Sequence, residues 1–355
     1  MGSFSHLVAG ESKKISRQKP AGVILIILLG VYLIMTLTFI FTGDALDRGL
    51  VRMFGFDDNI REYENSYKNP YEQEWIETSR NSLEVSKQYA ETLEKENLSR
   101  LERYNYRRSS KGEEKYLAVM EYRFEHNLFA EKEPSKTALF CHSSLSAFST
   151  LAIVGTLIIG SLSVAGELSG GTLKLLLIRP FKRWKILTAK FIAVLLYALL
   201  LYAAGILLTL LLGGLLFGFD GFSDIFIASL GGPVFAVSVI PYFLLKTAFS
   251  FAQAVLLISV VFLISCLFRS RSLAVGISLL VYFVAAPVVS LLAMLDIDML
   301  KYLVFFNLDL SGFLSDYGPD HPGLTFGMSA IIMSVYFIAF MAVSYAVFSR
   351  RDVKA

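Results

Sequence analysis

The chain has 355 residues, of which 55% are hydrophobic and only 18% charged, with a formal net charge of +3. Soluble globular proteins run at about 45–50% apolar and about 25% charged. This composition excludes a secreted enzyme, a nucleic-acid-binding domain and a disordered regulator, and it points to a polytopic membrane protein.

The cytoplasmic N-terminal segment, 1–20, carries Lys13, Lys14, Arg17 and Lys19 against a single acid, Glu11. The first apolar run, 21–42, is long enough to cross a bilayer, which takes about 20 residues. It lacks a small-residue cleavage site, so it reads as a retained span rather than a cleaved signal. Residues 43–142 then form a polar insert with 16 basic and 20 acidic residues. Within it, 71–107 lacks Pro and Gly, with Ile76, Leu83 and Ala90 at sevens and Leu93, Leu98 and Leu101 nearby. After Ser109-Ser110-Lys111-Gly112, Tyr116, Met120, Phe124 and Leu128 recur at spacing four. The pattern predicts an extracytoplasmic helical hairpin turning at 109–112.

Five further apolar runs follow, at 143–166, 191–219, 242–268, 272–295 and 324–348. Between the second and third spans, 167–190 is strongly basic, with Lys174, Arg179, Lys182, Arg183, Lys185 and Lys190 against Glu167. The turn after the fourth span holds Arg269 and Arg271, and the tail 349–355 holds Arg350, Arg351 and Lys354. On the opposite side, 220–241 has Asp220 and Asp224 without a basic residue, and 296–323 has five aspartates against Lys301. Basic loops mark the cytoplasmic face. The expected fold is therefore an all-α polytopic membrane protein with six transmembrane helices, both termini cytoplasmic, and a helical insert outside between helices 1 and 2. The apolar stretch 225–241 is broken by Gly231-Gly232-Pro233, and it reads as interfacial or as an extension of the fourth helix.

The segment 166–190, GELSGGTLKLLLIRPFKRWKILTAK, leaves a long span, passes through small residues into an amphipathic turn, and stops at Pro180. Such a segment fits a short helix lying across the cytoplasmic face; the alternative is a loop whose basic residues only fix topology. Glu167, Gly171-Thr172-Leu173-Lys174, Arg179-Pro180, Arg183 and Lys190 resemble the cytoplasmic signature of ABC-2 type permeases, the membrane subunits of ATP-binding cassette exporters. The resemblance extends to Leu7-Val8 with Glu11, Lys13 and Lys14, to Ser265–Arg271, and to Lys301-Tyr302 with Asn307-Leu308-Asp309-Leu310. It implies a coupling helix at 167–190, with Glu167, Gly171, Thr172, Lys174, Arg179 and Arg183 transmitting motion from a separate ATPase subunit. It further implies two ATPase copies, a second permease subunit, identical or related, and a multi-pass location in a bacterial plasma membrane. Export of an amphipathic peptide, antibiotic or drug is the expected activity. The 100-residue insert departs from the barest form of that family and leaves the substrate open.

Leu168-Ser169-Gly170-Gly171 spells part of an ABC ATPase signature, but no G-x-x-x-x-G-K-[ST] loop exists to cradle a triphosphate. The chain itself is therefore expected to be no enzyme and to hold no cofactor or metal, with ATP and Mg bound by the partner and nucleic acid not involved. His6, His126, His142 and His321 are scattered, and Lys246, near the outer end of its span, reads as snorkelling. Tyr197, Tyr202, Thr209, Tyr282 and Ser290 offer hydroxyls either to a substrate or to helix packing. A reading from another class is a membrane receptor or assembly factor that uses the external helices to bind a ligand or protein.

Overall fold

A computed structural model describes residues 4–42, 99–126, 135–169, 182–268, 270–295, 297–314 and 323–350, with isolated positions 81, 84, 85, 88 and 319. An amphipathic helix, α1 (Phe4–Ser16), leads through a two-residue turn into α2 (Lys19–Thr42). Beyond the insert come α4 (Lys136–Ser169), α5 (Arg183–Phe217), α6 (Val239–Leu267), α7 (Arg271–Ala293) and α8 (Phe326–Arg350). From α2, and from α4 through α8, come six helices long and apolar enough to cross a membrane. The flanking helices run past the expected boundaries. Glu167 is still helical at the end of α4, and Arg183 to Lys190 already form the first two turns of α5.

The core sits between α4 and α6, the two most enclosed spans. Helix α4 packs against α5, α6, α7 and α2, and small residues bring the backbones close. Ser161 Oγ donates to Ser278 Oγ of α7 at 3.2 Å, and Ser278 Oγ turns back to the Ala274 carbonyl at 2.7 Å. Side-chain hydroxyls thus find partners where no water competes. Phe148 of α4 is fully buried, its ring flanked edge-on by Tyr32 of α2 at 6.0 Å and Tyr202 of α5 at 5.4 Å. Helix α2 turns Ile26 and Ile34 outward, 70% and 64% exposed, as a lipid-facing helix must.

Of segment 225–241, only 239–241 join α6, and the rest is neither a span nor helical. It forms a β-hairpin, β1 (Ile225–Ser229) against β2 (Val234–Ser238), antiparallel with Ile225 opposite Ser238. The β-branched and aromatic residues suit a ladder. Gly231, at φ +81°, and Pro233 supply a turn that a helix rejects. The hairpin is the exception to an otherwise helical set among the described residues. Asp224, just before β1, accepts the Ser135 N–H at 2.9 Å and so ties the hairpin to the start of α4. Three short 3-10 helices follow α7, Asp298–Tyr302, Val304–Asn307 and Leu310–Leu314; the second packs on α7 and α8 and the third on α6 and α8. Asn307 is buried and holds this turn by donating to the carbonyls of Lys301 and Leu303.

In the insert, α3 (Arg100–Glu125) runs without a break through Ser109-Ser110-Lys111-Gly112, so the expected turn there is overturned. One helical Gly costs only about 1 kcal/mol against Ala, and good helix formers surround it. The helix starts at a capping box instead. Ser99 N and Oγ donate to Glu102 Oε2 at 3.0 and 2.7 Å, while Glu102 N–H reaches Ser99 Oγ at 3.4 Å. Tyr104, Leu117 and Val119 are buried as α3 packs on the hairpin, and Lys115 Nζ donates to the Phe313 carbonyl at 3.3 Å. The side chains of Tyr116, Met120 and Phe124, like Leu128 and the heptad positions Ile76, Leu83 and Ala90, lie outside the described residues.

Hydrogen bonds from the Ser99 hydroxyl and backbone hold the Glu102 carboxyl below its ordinary value. The cap is then present above the unfolded pKa of Glu102 and is lost as pH falls through the folded one. Ser99→Ala is expected to speed hydrogen exchange in the first turn of α3 at neutral pH, and acid is expected to do the same to the wild type. Unchanged exchange in both cases would remove the capping box as the start signal.

Candidate functional site

Helix α1 carries Leu7, Glu11 and Ile15 at spacing four on one face, and all three are buried. Leu7 packs with Ile186 and Ala189 of α5, and Ile15 joins the cluster of Leu187, Ala193 and Val194. The apolar pair therefore carries the Glu11 carboxylate into the bundle between them. Opposite it, Lys190 lies on the buried face of α5, its side chain only 1% exposed.

Four charges close into a ring at this point. Lys190 Nζ stands 2.8 Å from Glu11 Oε2 and 2.7 Å from Glu167 Oε2. Lys14 Nζ stands 3.1 Å from Glu11 Oε1 and 2.8 Å from Glu167 Oε1. Each carboxylate oxygen faces one ammonium, and the ring is neutral as a whole. Two ammonium ions bridging two carboxylates meet the condition for keeping charges buried, namely that each is paired. Burial pushes the Glu11 carboxyl up, but Lys190 and Lys14 outweigh it and hold it below its ordinary value. Burial alone would lower Lys14, yet Glu167 and Glu11 keep it above its ordinary value.

Further polar contacts join the neighbouring helix ends. Arg183 Nη1 donates to the Ser349 carbonyl at 2.9 Å, capping the end of α8. Thr188 Oγ1 and Tyr345 OH share a hydrogen bond of 2.8 Å. Arg271 Nε, at the start of α7, donates to Ser169 Oγ at the end of α4 at 2.6 Å. One end of the bundle is thus stitched across α1, α4, α5, α7 and α8.

Of the sequence-predicted residues, Glu167 and Arg183 are described, and they do not pair with each other. Glu167 is engaged by Lys14 and Lys190, not by Arg183, because Arg183 sits two turns before Lys190 and points to α8. Gly171, Thr172, Lys174 and Arg179 lie outside the described residues. The structure adds Glu11, Lys14 and Lys190 to the site. Their signal was a carboxylate at the centre of an apolar i, i+4 stripe, which demands a buried cation elsewhere in the chain. Chemically the ring offers no free base or nucleophile, since both carboxylates are engaged. It ties α1, α4 and α5 together.

Four of the five hydroxyls considered for substrate are hydrogen-bonded within the bundle. Tyr202 OH pairs with Ser250 Oγ at 2.7 Å, Thr209 Oγ1 with Tyr32 OH at 2.5 Å, and Tyr197 OH donates to the Ala21 carbonyl at 3.2 Å. Ser290 Oγ returns to the Ala286 carbonyl within its own helix at 3.1 Å. Near the first turns of α4 and α6, a cavity of about 10 Å³ lies beside His142, Tyr242 and Lys246, room for one water molecule. The Lys246 ammonium sits 5.3 Å from the Tyr242 ring centroid. Cys141 and Cys266 are free and buried.

Six apolar helices and a charge-stitched end define a multi-pass α-helical membrane protein. The chain belongs to the family described as "Protein of unknown function (DUF2705)", whose profile matches residues 109–354. It is 31% identical over 247 residues to the "Uncharacterized protein YhcI" of Bacillus subtilis (strain 168), covering 68% of this chain and 77% of that one. It is 29% identical over 199 residues to the "Uncharacterized membrane protein YdbK" of the same organism, covering 56% of this chain and 76% of that one.

Proposed function

We propose that the chain is the membrane subunit of an ATP-driven exporter of the ABC-2 permease type, in a bacterial plasma membrane. It works with a second permease subunit and two copies of a separate ATPase, which bind ATP and Mg. The observation that carries this reading is the ring. Glu167 and Lys190 are the two ends of the stretch expected to meet the ATPase, and the ring locks both ends to each other and to α1. Movement imposed on 168–189 would therefore reach α1, α4 and α5 together instead of being absorbed by one flexible end. Nucleotide binding by the partner shifts the population between two arrangements of these helices. The cargo is an amphipathic peptide, antibiotic or drug.

The test is purification of the full chain from its native membrane. A soluble ATPase is expected to come with it, while the chain alone neither binds nor hydrolyses ATP. Glu167→Ala and Arg183→Glu are each expected to insert normally and to abolish cargo-stimulated hydrolysis in reconstituted complexes. Recovery of the chain without any ATPase, or wild-type stimulation in both variants, would favour the receptor or assembly-factor reading.

A further inference from the structure

We infer that the outward surface shared by α1 and the first turn of α5 binds the headgroups of anionic phospholipids in the adjacent leaflet. The ring consumes the acid of α1, Glu11, and the acid at the end of α4, Glu167, and cancels them with Lys14 and Lys190. What remains outside the ring is positive. Lys13, Arg17, Lys19 and Lys182 are exposed, Lys185 is half-buried, and no carboxylate of α1 or of the first turn of α5 stands outside.

The two helices form one surface, because Leu7 packs directly on Ile186 and Ala189. Lys13 lies on the side of α1 turned away from the Leu7–Glu11–Ile15 stripe, and Arg17 sits exposed in the turn just after it, so packing against α5 leaves both open.

The surface also lies at a membrane boundary. Lys19 begins α2, and Arg183 begins α5, where each apolar span starts. Trp184 stands 49% exposed at that level, with Lys185 Nζ 5.6 Å from its ring centroid. Tryptophan concentrates at the headgroup level, where its ring meets acyl chains and its N–H meets polar groups. Clustered Lys and Arg beside a span attract anionic lipid, an attraction that fades within a Debye length as salt rises. Trp184 decides for lipid over a soluble acidic protein as the occupant, since it places the basic residues where headgroups lie. This inference does not depend on the transport reading.

The probe is the purified full chain in detergent micelles doped with equal phosphatidylglycerol and phosphatidylcholine, with bound lipid counted by native mass spectrometry. Wild type is expected to enrich phosphatidylglycerol about threefold or more, and the enrichment is expected to fall as salt is raised. A variant combining K13Q, R17Q, K182Q and K185Q is expected to approach parity at an unchanged melting temperature. Parity in the wild type would overturn the inference without touching the proposed function, as would enrichment insensitive to salt. Undiminished enrichment in the variant would overturn it, and loss of a copurifying ATPase alongside would assign the surface to a protein instead.

Discussion

Lys190→Met is expected to release α1 from the bundle and to destabilise the protein by about 3–5 kcal/mol, the cost of breaking a buried ion pair from one side. The side chain is 1% exposed and touches both Glu11 and Glu167, so its loss leaves two carboxylates sharing the single ammonium of Lys14. A cysteine at Leu7, which is buried against Ile186 and Ala189, would report the release by gaining reactivity toward a thiol reagent. Adding Glu167→Gln restores neutrality among the remaining groups, and the double variant is expected to recover part of the loss. Such recovery is the non-additivity of residues in one charge network. Lys14→Met is expected to cost far less, because that side chain is 50% exposed and solvent screens it.

The ring also predicts a pH profile. Glu11 lies below its ordinary value, so its contribution is present above the unfolded pKa and is lost as pH falls through the folded one. Lys14 lies above its ordinary value, so its contribution is present below the unfolded pKa and is lost as pH rises through the folded one. Docking of α1 is therefore expected to be flat with pH across the neutral range. In Lys190→Met, acid is expected to favour docking, since protonating a carboxylate relieves the excess negative charge. Equal Leu7→Cys reactivity in wild type and Lys190→Met at neutral pH would show that the ring does not hold the helix.

Gly205→Val is expected to be the most disruptive substitution of a small residue in the bundle. A Cβ at Gly205 would overlap the Phe148 ring. That ring cannot move aside, because Tyr32 and Tyr202 flank it at 6.0 and 5.4 Å and Phe148 is fully buried. Overpacking a dense core costs about 1–3 kcal/mol or more, and here the strain falls on the contact between α4 and α5. Loss of monodisperse protein on gel filtration is the expected result. Combining Gly205→Val with Phe148→Ala opens the space again and is expected to restore it. If Gly205→Val alone behaves as wild type, the close approach of the two helices is wrong.

The spans were legible because an apolar run longer than a bilayer is thick has few alternatives to a membrane helix. Glu167 was legible because a lone carboxylate follows one such run. The positions where the reading failed share a cause. Ser109-Ser110-Lys111-Gly112 looks like a turn by composition, yet a single Gly is cheap when the residues on either side favour helix and the packed face of α3 continues past it. The Ser99–Glu102 box was present in the letters, four residues that spell a helix start, and it outweighs the weaker breaker. The hairpin at 225–238 was half-legible. Gly231 and Pro233 argued against a helix, but strand pairing depends on a partner segment, and that pairing is a property of two stretches together.

By itself, the sequence determined that this protein is multi-pass and helical, because hydrophobic length is a local property that burial in lipid converts directly into structure. It also determined that the ends at α1, 167–190 and 349–355 are basic, because charge is counted along the chain. Only the tertiary structure decided which charge meets which. Glu11 and Lys190 are separated by 179 positions, and Lys14 and Glu167 by 153. Nothing local selects those partners over Lys174 or Arg183. The choice is made where Leu7 and Ile15 bury against α5, since that packing carries Glu11 to the one place where leaving Lys190 unpaired would be most costly.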